Sequence, residues 1–342
     1  MEFSALFMWV GFTLAAYSVV GNDVIQTLGT FLTSNERKVS WKVLWLFAAS
    51  ILSVTLIYGY IQADIDYGRL DKFEMPQVYH WYYILPPLVL LFITRIGIPV
   101  STTFMILTLF SLNEISGDLG DMIASVFDKD QKLGGMIFKS FMGYVIAFLS
   151  AIVIYLGITS FTEKRFLANP IDENRKKFWT VAQWITTAFL WSQWLTQDLA
   201  NIYIYLKGGQ DLSIMGFVVS LIIIIGLLAF IFYRRGGAVQ NVVREKTNTA
   251  DIRSATFVDL IYGIVLYVFK YDYFGIWGGK LPMSTTWIFI GLLAGRELGI
   301  RLRVYKKIDK NLFNMIFADL IKVFLGLVVS VVLVFIIKII SG

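Results

Sequence analysis

The sequence contains no cysteine and only one histidine, His80, among its 342 residues. The absence of cysteine excludes disulfides, thiolate metal sites and iron–sulfur clusters. His80 lies beside Trp81 in a polar stretch, where we interpret it as a solvated or interfacial side chain and not as a catalytic one. The N-terminus has neither the basic region nor the cleavage site of a secretory signal, so we expect the first helix to remain in the mature protein.

Charged residues are also scarce. They make up 16 % of the chain, against roughly 25 % in soluble domains, whereas 57 % of the residues are hydrophobic and the mean hydropathy is +0.69. Apolar stretches with the roughly 20 residues that a transmembrane helix needs occur at 43–62, 137–160, 213–233 and 313–340. The sequence therefore predicts an all-α polytopic protein whose partner is the lipid bilayer. The net charge of +6 does not indicate nucleic-acid binding, because the basic residues lie in loops between apolar segments.

Two short polar motifs each occur twice inside this apolar sequence, in the same order in both halves. The first is Gly21-Asn22-Asp23-Val24-Ile25-Gln26, with its counterpart Thr196-Gln197-Asp198-Leu199-Ala200-Asn201. The second is Ile98-Pro99-Val100-Ser101-Thr102-Thr103, with its counterpart Leu281-Pro282-Met283-Ser284-Thr285-Thr286. Carboxylates and hydroxyls are costly in apolar surroundings, so their duplication predicts one site built from two repeats.

Each half is predicted to contain a helix broken at the first motif, a re-entrant helical hairpin and plain membrane helices. Repeat 1 covers 1–160, with its hairpin at about 81–113 and the hairpin tip at 97–101. A cytoplasmic linker, 161–177, leads to repeat 2 at 178–342, whose hairpin lies at about 255–300. Three crossings per repeat is an odd number, so the second repeat is predicted to be inverted relative to the first.

The distribution of basic residues supports this topology. The loops predicted on one side carry 19 Lys and Arg residues, and those on the other side carry 5. The basic loops are 35–42, 161–178, 234–253 and 296–312, and the others are 63–80, 114–136 and 207–212. The positive-inside rule makes the basic side cytoplasmic and places both termini outside.

The Pro-x-Ser-Thr-Thr motifs have the chemistry of a helix start. Proline suits the first helical turn, and serine and threonine are good N-caps. A helix that starts at a hairpin tip directs free N–H groups at the membrane centre, where they favour anions. The hydroxyls could instead bond back to the preceding turn, but two matched copies favour an anion site. Its predicted residues are Ser101, Thr102, Thr103, Ser284, Thr285 and Thr286.

Asp23 and Asp198 each cost about 2.5–3.5 kcal/mol at the centre of a membrane helix, so a cation or hydrogen-bond donors must offset them. Oxygen ligands alone suit hard cations such as Na⁺. The predicted cation ligands are Asn22, Asp23, Gln26, Gln197, Asp198 and Asn201. Alternatively, the aspartates pair with basic side chains or carry protons. Arg95 and Lys280, just before the two tips, are candidate partners of the aspartates or of the anion, and Lys280 could also snorkel.

These motifs resemble those of the inorganic phosphate transporter (PiT) family, whose signatures are Gly-Ala-Asn-Asp-Val-Ala-Asn and Pro-x-Ser-Thr-Thr-His. The matching residues are Asn22, Asp23, Val24, Asp198, Ala200, Asn201, Pro99, Ser101, Thr102, Thr103, Pro282, Ser284, Thr285 and Thr286. Gln26 and Gln197 replace asparagines of the signature, and Phe104 and Trp287 stand where the family has histidine. The resemblance implies a Na⁺- or H⁺-coupled oxyanion symporter with inverted repeats, a homodimer with both termini outside.

We therefore predict a transporter of the cell (inner) membrane, and not an enzyme. Its function would be cation-coupled symport of inorganic phosphate or a similar tetrahedral oxyanion, bound by the hairpin tips and Arg95. A sulfate permease of the same fold and a non-transporting sensor or scaffold with a degenerate site are the alternatives. A membrane enzyme using the two aspartates as acid and base is disfavoured, because no nucleophile–base pair or histidine cluster accompanies them.

Overall fold

The computed structural model describes residues 2–35, 38–95, 100–113, 119–161, 171–209, 212–235, 252–273, 275–276, 279–302 and 310–341. The elements in these ranges are helices. Those of the first half are α1 (Glu2–Asn35), α2 (Trp41–Ile61), a 3₁₀ turn (Trp81–Ile84), α3 (Leu85–Arg95), α4 (Thr102–Asn113), α5 (Leu119–Phe127) and α6 (Lys132–Phe161). Those of the second half are α7 (Glu173–Asp198), α8 (Ala200–Tyr203), a 3₁₀ turn (Ile204–Gly209), α9 (Ile214–Tyr233), α10 (Ile252–Tyr271), α11 (Thr285–Ile300) and α12 (Lys310–Ser341).

Within the described ranges, five helices are long and apolar enough to cross a membrane. They include parts of α1 and α6 and the whole or most of α2, α9 and α12. Each of the four apolar stretches predicted from the sequence coincides with one of them. The all-α polytopic membrane fold is thus confirmed. The predicted linker, 161–177, lies partly outside the described residues, and α7 already begins at Glu173 within it.

The expected break in the first helix is absent. α1 runs without interruption from Glu2 to Asn35, through Gly21 and Asp23. A single glycine in a helix costs only about 1 kcal/mol, and the side chain of Asn22 donates to the distant carbonyl of Val100 at 2.7 Å. The prediction of a broken helix here was wrong, because local breakers were outweighed by tertiary contacts. In the second half, α7 ends at Asp198 and α8 begins at Ala200, but Leu199 between them keeps helical dihedral angles, φ −57° and ψ −30°, and its N–H donates to the carbonyl of Leu195.

Both predicted hairpins consist of two packed helices. α3 and α4 have 11 and 12 residues, or about 17 Å each, which is well short of the hydrocarbon thickness of a membrane. They pack against each other. Of the predicted tip at 97–101, residues 97–99 lie outside the described residues. The second hairpin is formed by α10 and α11, and its tip region includes 279–284.

The second limb of each hairpin packs on the last helix of the other half. α11 lies along α6, and α4 lies along α12. A row of glycines, Gly291, Gly295 and Gly299, permits the first of these contacts. A side-chain carbon at Gly291 or Gly295 would stand 2.5 or 2.1 Å from a carbonyl oxygen of α6. Such small-residue rows let membrane helices approach closely, and here they hold the hairpin tip at the centre of the molecule.

Candidate functional site

A serine caps the helix that leaves each hairpin tip. The Oγ of Ser101 accepts from the backbone N–H of Phe104 at 3.2 Å, and the Oγ of Ser284 accepts from that of Trp287 at 3.3 Å. This is the geometry of an N-cap. The helix starts predicted from the two motifs are therefore present, and the serine oxygens are already occupied in satisfying backbone donors.

Asp23 accepts hydrogen bonds from both hairpins. The hydroxyl of Thr102, in the first hairpin, donates to its Oδ2. Thr286, in the second hairpin, also hydrogen-bonds to its side chain. The amide of Asn22 donates to its Oδ1 at 2.8 Å. The carboxylate of α1 is therefore surrounded by donors from its own half and from the other half.

Asp198 has the corresponding set of partners. Thr285, in the second hairpin, donates to its Oδ2 at 2.6 Å. Thr103, in the first hairpin, has its hydroxyl 3.3 Å from Oδ1. Asn201, one turn further along, donates to the same oxygen at 2.8 Å. Each hairpin tip thus gives one threonine to each aspartate.

A single hydrogen-bonded network joins the two aspartates. The amide of Asn201, already bonded to Asp198, lies 3.2 Å from the hydroxyl of Thr102, which in turn donates to Asp23. We call this network the aspartate–threonine cluster; it comprises Asp23, Asp198, Asn201, Thr102, Thr103, Thr285 and Thr286. Its members come from α1, α4, α7, α8 and α11, so it can form only when both halves are assembled.

The cluster is closed to solvent. All twelve predicted site residues other than Arg95 are exposed by 4 % or less. A carboxylate in such surroundings is costly unless it is hydrogen-bonded or paired with a cation. Any ion that reaches it must enter through a change of conformation, as in proteins that alternate between closed and open states.

Two amide oxygens of the second motif are buried without a hydrogen-bond partner. They are Oε1 of Gln197 and Oδ1 of Asn201, whose amide groups donate elsewhere. In the other copy of the motif, Oδ1 of Asn22 accepts from the amide of Gln26 at 3.3 Å. Unpaired acceptor oxygens beside a carboxylate are the kind of ligands that a hard cation takes. Gln197, Asp198 and Asn201 therefore supply the type of oxygen ligands that a sodium ion takes.

The two basic residues expected at the tips lie elsewhere. Arg95 is exposed in the last turn of α3, so the structure does not bring it to the cluster, contrary to its prediction as an anion ligand. Lys280 forms an exposed ion pair with Asp71, with Nζ 3.2 Å from Oδ2. It neither pairs with a motif aspartate nor faces the threonines.

Two other basic residues contact the second tip instead. Arg69, in the loop between α2 and α3, is 1 % exposed, and its Nη1 donates to the carbonyls of Lys280 and Leu281. Burial lowers its pKa to about 10, which leaves it charged at neutral pH, while the charge of Asp198 acts in the opposite direction. Lys139, fully buried in α6, donates to the carbonyl of Gly279 at 2.5 Å.

The sequence offered a signal for only one of them. Lys139 stands near the start of an apolar run, where an isolated charge indicates function. Arg69 lies in a polar loop among carboxylates, and nothing in that pattern distinguishes it from a solvated arginine.

The arrangement of helices matches a solved transporter. A structure described as "The sodium-dependent phosphate transporter" aligns with this chain at a TM-score of 0.58, over 99 % of this chain and 100 % of that chain, with 18 % sequence identity. The chain is similar in fold to a phosphate transporter. At this identity the likeness shows the fold alone. No protein-family model matches the chain, and no curated protein matches it.

The phosphate-transporter-like fold brings the two atypical tip residues together. The rings of Phe104 and Trp287 meet edge to face, with centroids 5.7 Å apart and an interplanar angle of 74°. Both are buried, and Nε1 of Trp287 has no hydrogen-bond partner. The contact ties the two tips to each other through an apolar pair that cannot titrate.

Another buried carboxylate, Asp259, lies apart from the predicted motifs. Asp259 of α10 is fully buried and accepts from the hydroxyls of Thr30 on α1, at 2.5 Å, and Thr187 on α7, at 2.6 Å. Applying to α10 the reasoning that singled out Asp23 would have identified it, because it too is a lone carboxylate in an apolar segment.

Proposed function

We propose that this protein is a secondary active transporter of the PiT family, which carries inorganic phosphate into the cell together with Na⁺. The observation that carries the proposal is the set of hydrogen bonds between two hairpins and two aspartates. Each hairpin tip contacts Asp23 through one threonine and Asp198 through another. That cluster combines carboxylates for a cation with hydroxyls and helix N-termini for an anion. The similarity in fold to a sodium-dependent phosphate transporter supports a site that binds both a cation and an anion.

The hydrogen bonds give a physical reason for coupling. A threonine hydroxyl has one proton to donate, and Thr102 and Thr285 give theirs to the aspartates. A sodium ion beside Asp198, held also by Gln197 and Asn201, would neutralise the carboxylate. The hydroxyl could then turn its lone pair to the cation and its proton to an oxyanion. Anion binding would therefore require the cation, which is the condition for symport.

The substrate is proposed to be phosphate rather than sulfate. Monohydrogen phosphate carries one P–OH group, which needs an acceptor, whereas sulfate at neutral pH has none. The cluster contains such acceptors in the carboxylate oxygens of Asp23 and Asp198. Protons could replace Na⁺ as the coupling ion if the aspartates themselves carry them. Sulfate transport, or binding without transport, are the alternative outcomes of the experiment below.

We further propose two inverted repeats, 1–160 and 178–342, that alternate the access to the cluster. The contacts support this: α11 lies on α6 as α4 lies on α12, and α7 lies on α10 as α1 lies on α3. Each helix contact therefore has a counterpart in which the corresponding helices of the two halves are interchanged, as expected for two repeats. The basic loops would be cytoplasmic, both termini outside, and the protein a homodimer in the cell (inner) membrane.

Uptake into proteoliposomes tests the proposal. Purified protein is reconstituted, and labelled phosphate and sulfate are followed with an inward Na⁺ gradient, an inward H⁺ gradient or neither. We expect phosphate to accumulate with the Na⁺ gradient. Accumulation of sulfate alone would make the protein a sulfate permease. Binding of phosphate without uptake under any gradient would make it a sensor.

The aspartates provide the first prediction. Asp23→Asn or Asp198→Asn should lower Na⁺-driven phosphate uptake at least about 100-fold, because the cation loses its charged ligand while the amide keeps the shape. Asp71→Asn, at an exposed ion pair, is the matched control and should retain uptake. Gel filtration and thermal melting confirm folding. Uptake at the wild-type rate in both motif variants would contradict the role of the aspartates in coupling.

A further inference from the structure

The guanidinium group of Arg69 is buried with one edge unsatisfied. Nη1 donates to the carbonyls of Lys280 and Leu281, at 3.2 and 3.3 Å. Nε and Nη2 are buried and have no hydrogen-bond partner. Leaving buried donors of a charged group unpaired is costly. The free N–H groups of Nε and Nη2 point the same way, along one edge of the planar group, as a pair of parallel donors.

Nearby carboxylates hydrogen-bond to other donors and not to Arg69. Asp66, in the same loop, accepts from the backbone N–H of Leu70 at 2.6 Å. The two oxygens of Asp198 accept from Thr285 and Asn201. Within the described ranges, Arg69 has no ion pair with either acid. The missing partner of the free edge is therefore not a side chain already in place.

A second buried cation lies close to Arg69. Lys139 donates to the carbonyl of Gly279, one residue before the carbonyls that Arg69 contacts. Arg69 and Lys139 are basic neighbours, and the acid Asp272 lies close to Lys139 as well. The carboxylate of Asp272 accepts from the backbone N–H groups of Ile276 and Gly279. Two adjacent buried cations of this kind would be stabilised by an anion between them and the tip.

The position of Arg69 is next to the aspartate–threonine cluster. Leu281, whose carbonyl it contacts, lies three residues before Ser284, and the carbonyl of Met283 lies 3.2 Å from the hydroxyl of Thr103. The loop approaches this tip closely. Gly68 has φ +69°, and a Cβ built there would lie within 3 Å of the flexible end of the Lys280 side chain. Arg69 is thus held between the loop and the segment that leads into the cluster.

We propose that Arg69, supported by Lys139, forms an oxyanion-binding subsite beside the aspartate–threonine cluster, on the side covered by the loop between α2 and α3. Two oxygens of phosphate would accept from Nε and Nη2, which is the bidentate geometry that arginine provides and lysine does not. The subsite rests on the proposed function for the identity of its anion. The positive charge that we expected Arg95 to provide at the anion site would thus come from Arg69.

The test measures phosphate binding separately from transport. Isothermal titration of the purified protein with inorganic phosphate in Na⁺ buffer gives a Kd for the wild type, Arg69→Lys, Arg69→Gln and Lys280→Gln. We expect Kd to rise about 10-fold in Arg69→Lys, which keeps the charge but loses the fork, and more in Arg69→Gln. Lys280→Gln, on the same tip but ion-paired to Asp71 and exposed, should bind like the wild type.

The outcomes distinguish the subsite from the transport function. A role that is merely structural would lower the melting temperature of Arg69→Lys without phosphate and leave its Kd unchanged, and this result would overturn the subsite. If Arg69→Gln does not fold, Arg69→Lys alone decides. Wild-type protein that binds phosphate through Arg69 but takes none up would overturn the transport function and leave the subsite. Absence of phosphate binding in the wild type would overturn both.

Discussion

Asp66 is a buried acid in the loop between α2 and α3 and is 8 % exposed. Burial raises its pKa to about 6, although a hydrogen bond from the backbone of Leu70 acts in the opposite direction. A raised pKa means that folding favours the protonated form. Its contribution to stability is therefore complete below about pH 4 and is lost as the pH rises through 6.

Asp66→Asn should remove this dependence. We expect the variant to exceed the wild type in stability at pH 7.5 by about 2 kcal/mol and to match it near pH 4, because asparagine can still accept from Leu70. Thermal melts of the purified protein between pH 4 and 7.5 measure the difference. Asp130→Asn, at an exposed acid outside this loop, is the control. Parallel curves for Asp66→Asn and the wild type would show that Asp66 is ionised without cost.

Individual site residues were predictable where the sequence repeats itself. The duplicated motifs identified both aspartates and all four threonines that meet in the cluster. The position of Arg95 was not predicted correctly, because closeness to a tip along the chain does not determine on which face of α3 a side chain lies. Arg69 reaches the other tip across 211 positions of sequence. No local pattern specifies a contact of that range, which depends on how the loop folds over the hairpin.

At the level of the elements, Asp259 joins three helices. Its two oxygens accept from Thr30 on α1 and Thr187 on α7, while its own backbone belongs to α10. Replacement by alanine leaves two buried hydroxyls without their acceptor. We expect Asp259→Ala to lower the free energy of unfolding by about 2–3 kcal/mol.

Thr256→Val is the matched control for this prediction, since the buried hydroxyl of Thr256 donates only to the carbonyl of Ile252 in its own helix. It should cost less than about 1 kcal/mol. Asp259→Asn, which keeps one acceptor, should lie between the two. Denaturation followed by tryptophan fluorescence in detergent gives the ranking. Equal stability of Asp259→Ala and Thr256→Val would mean that the carboxylate does not hold the three helices together.

The helices themselves were predictable to different degrees. Long apolar runs identified α2, α6, α9 and α12, because a membrane helix needs little beyond length and hydrophobicity. The continuity of α1 through Gly21 was not predicted, because the polar residues there were interpreted as a break, whereas the side chain of Asn22 bonds to the distant carbonyl of Val100. α5 was missed because its nine residues lie between charged stretches and resemble a loop.

In the whole molecule, the cluster can open only if the hairpin tips move. The tips meet each other at Phe104 and Trp287, and each tip reaches both aspartates. The second limb of each hairpin also lies on the last helix of the other half. Transport by alternating access would therefore change the contacts between halves, while each half moves as a body. A covalent cross-link across one of these contacts should therefore inhibit transport.

Val100 and Gly326 are positioned for a disulfide cross-link between the first tip and α12. A Cβ added at Gly326 would stand 3.5 Å from the Cβ of Val100, which is within the range found in disulfides. The chain has no cysteine of its own, so Val100→Cys with Gly326→Cys introduces the only thiols. Oxidation should lower Na⁺-driven phosphate uptake about 10-fold or more, and dithiothreitol should restore it.

The single variants Val100→Cys and Gly326→Cys control for the loss of valine and of glycine, and they should transport at the same rate with and without oxidant. Mass spectrometry of the double variant verifies that the bond has formed. If the oxidised double variant then transports as fast as the reduced one, the first hairpin and α12 travel together through the cycle. The moving boundary would in that case run elsewhere, and the division into repeats 1–160 and 178–342 as the two moving bodies would be wrong.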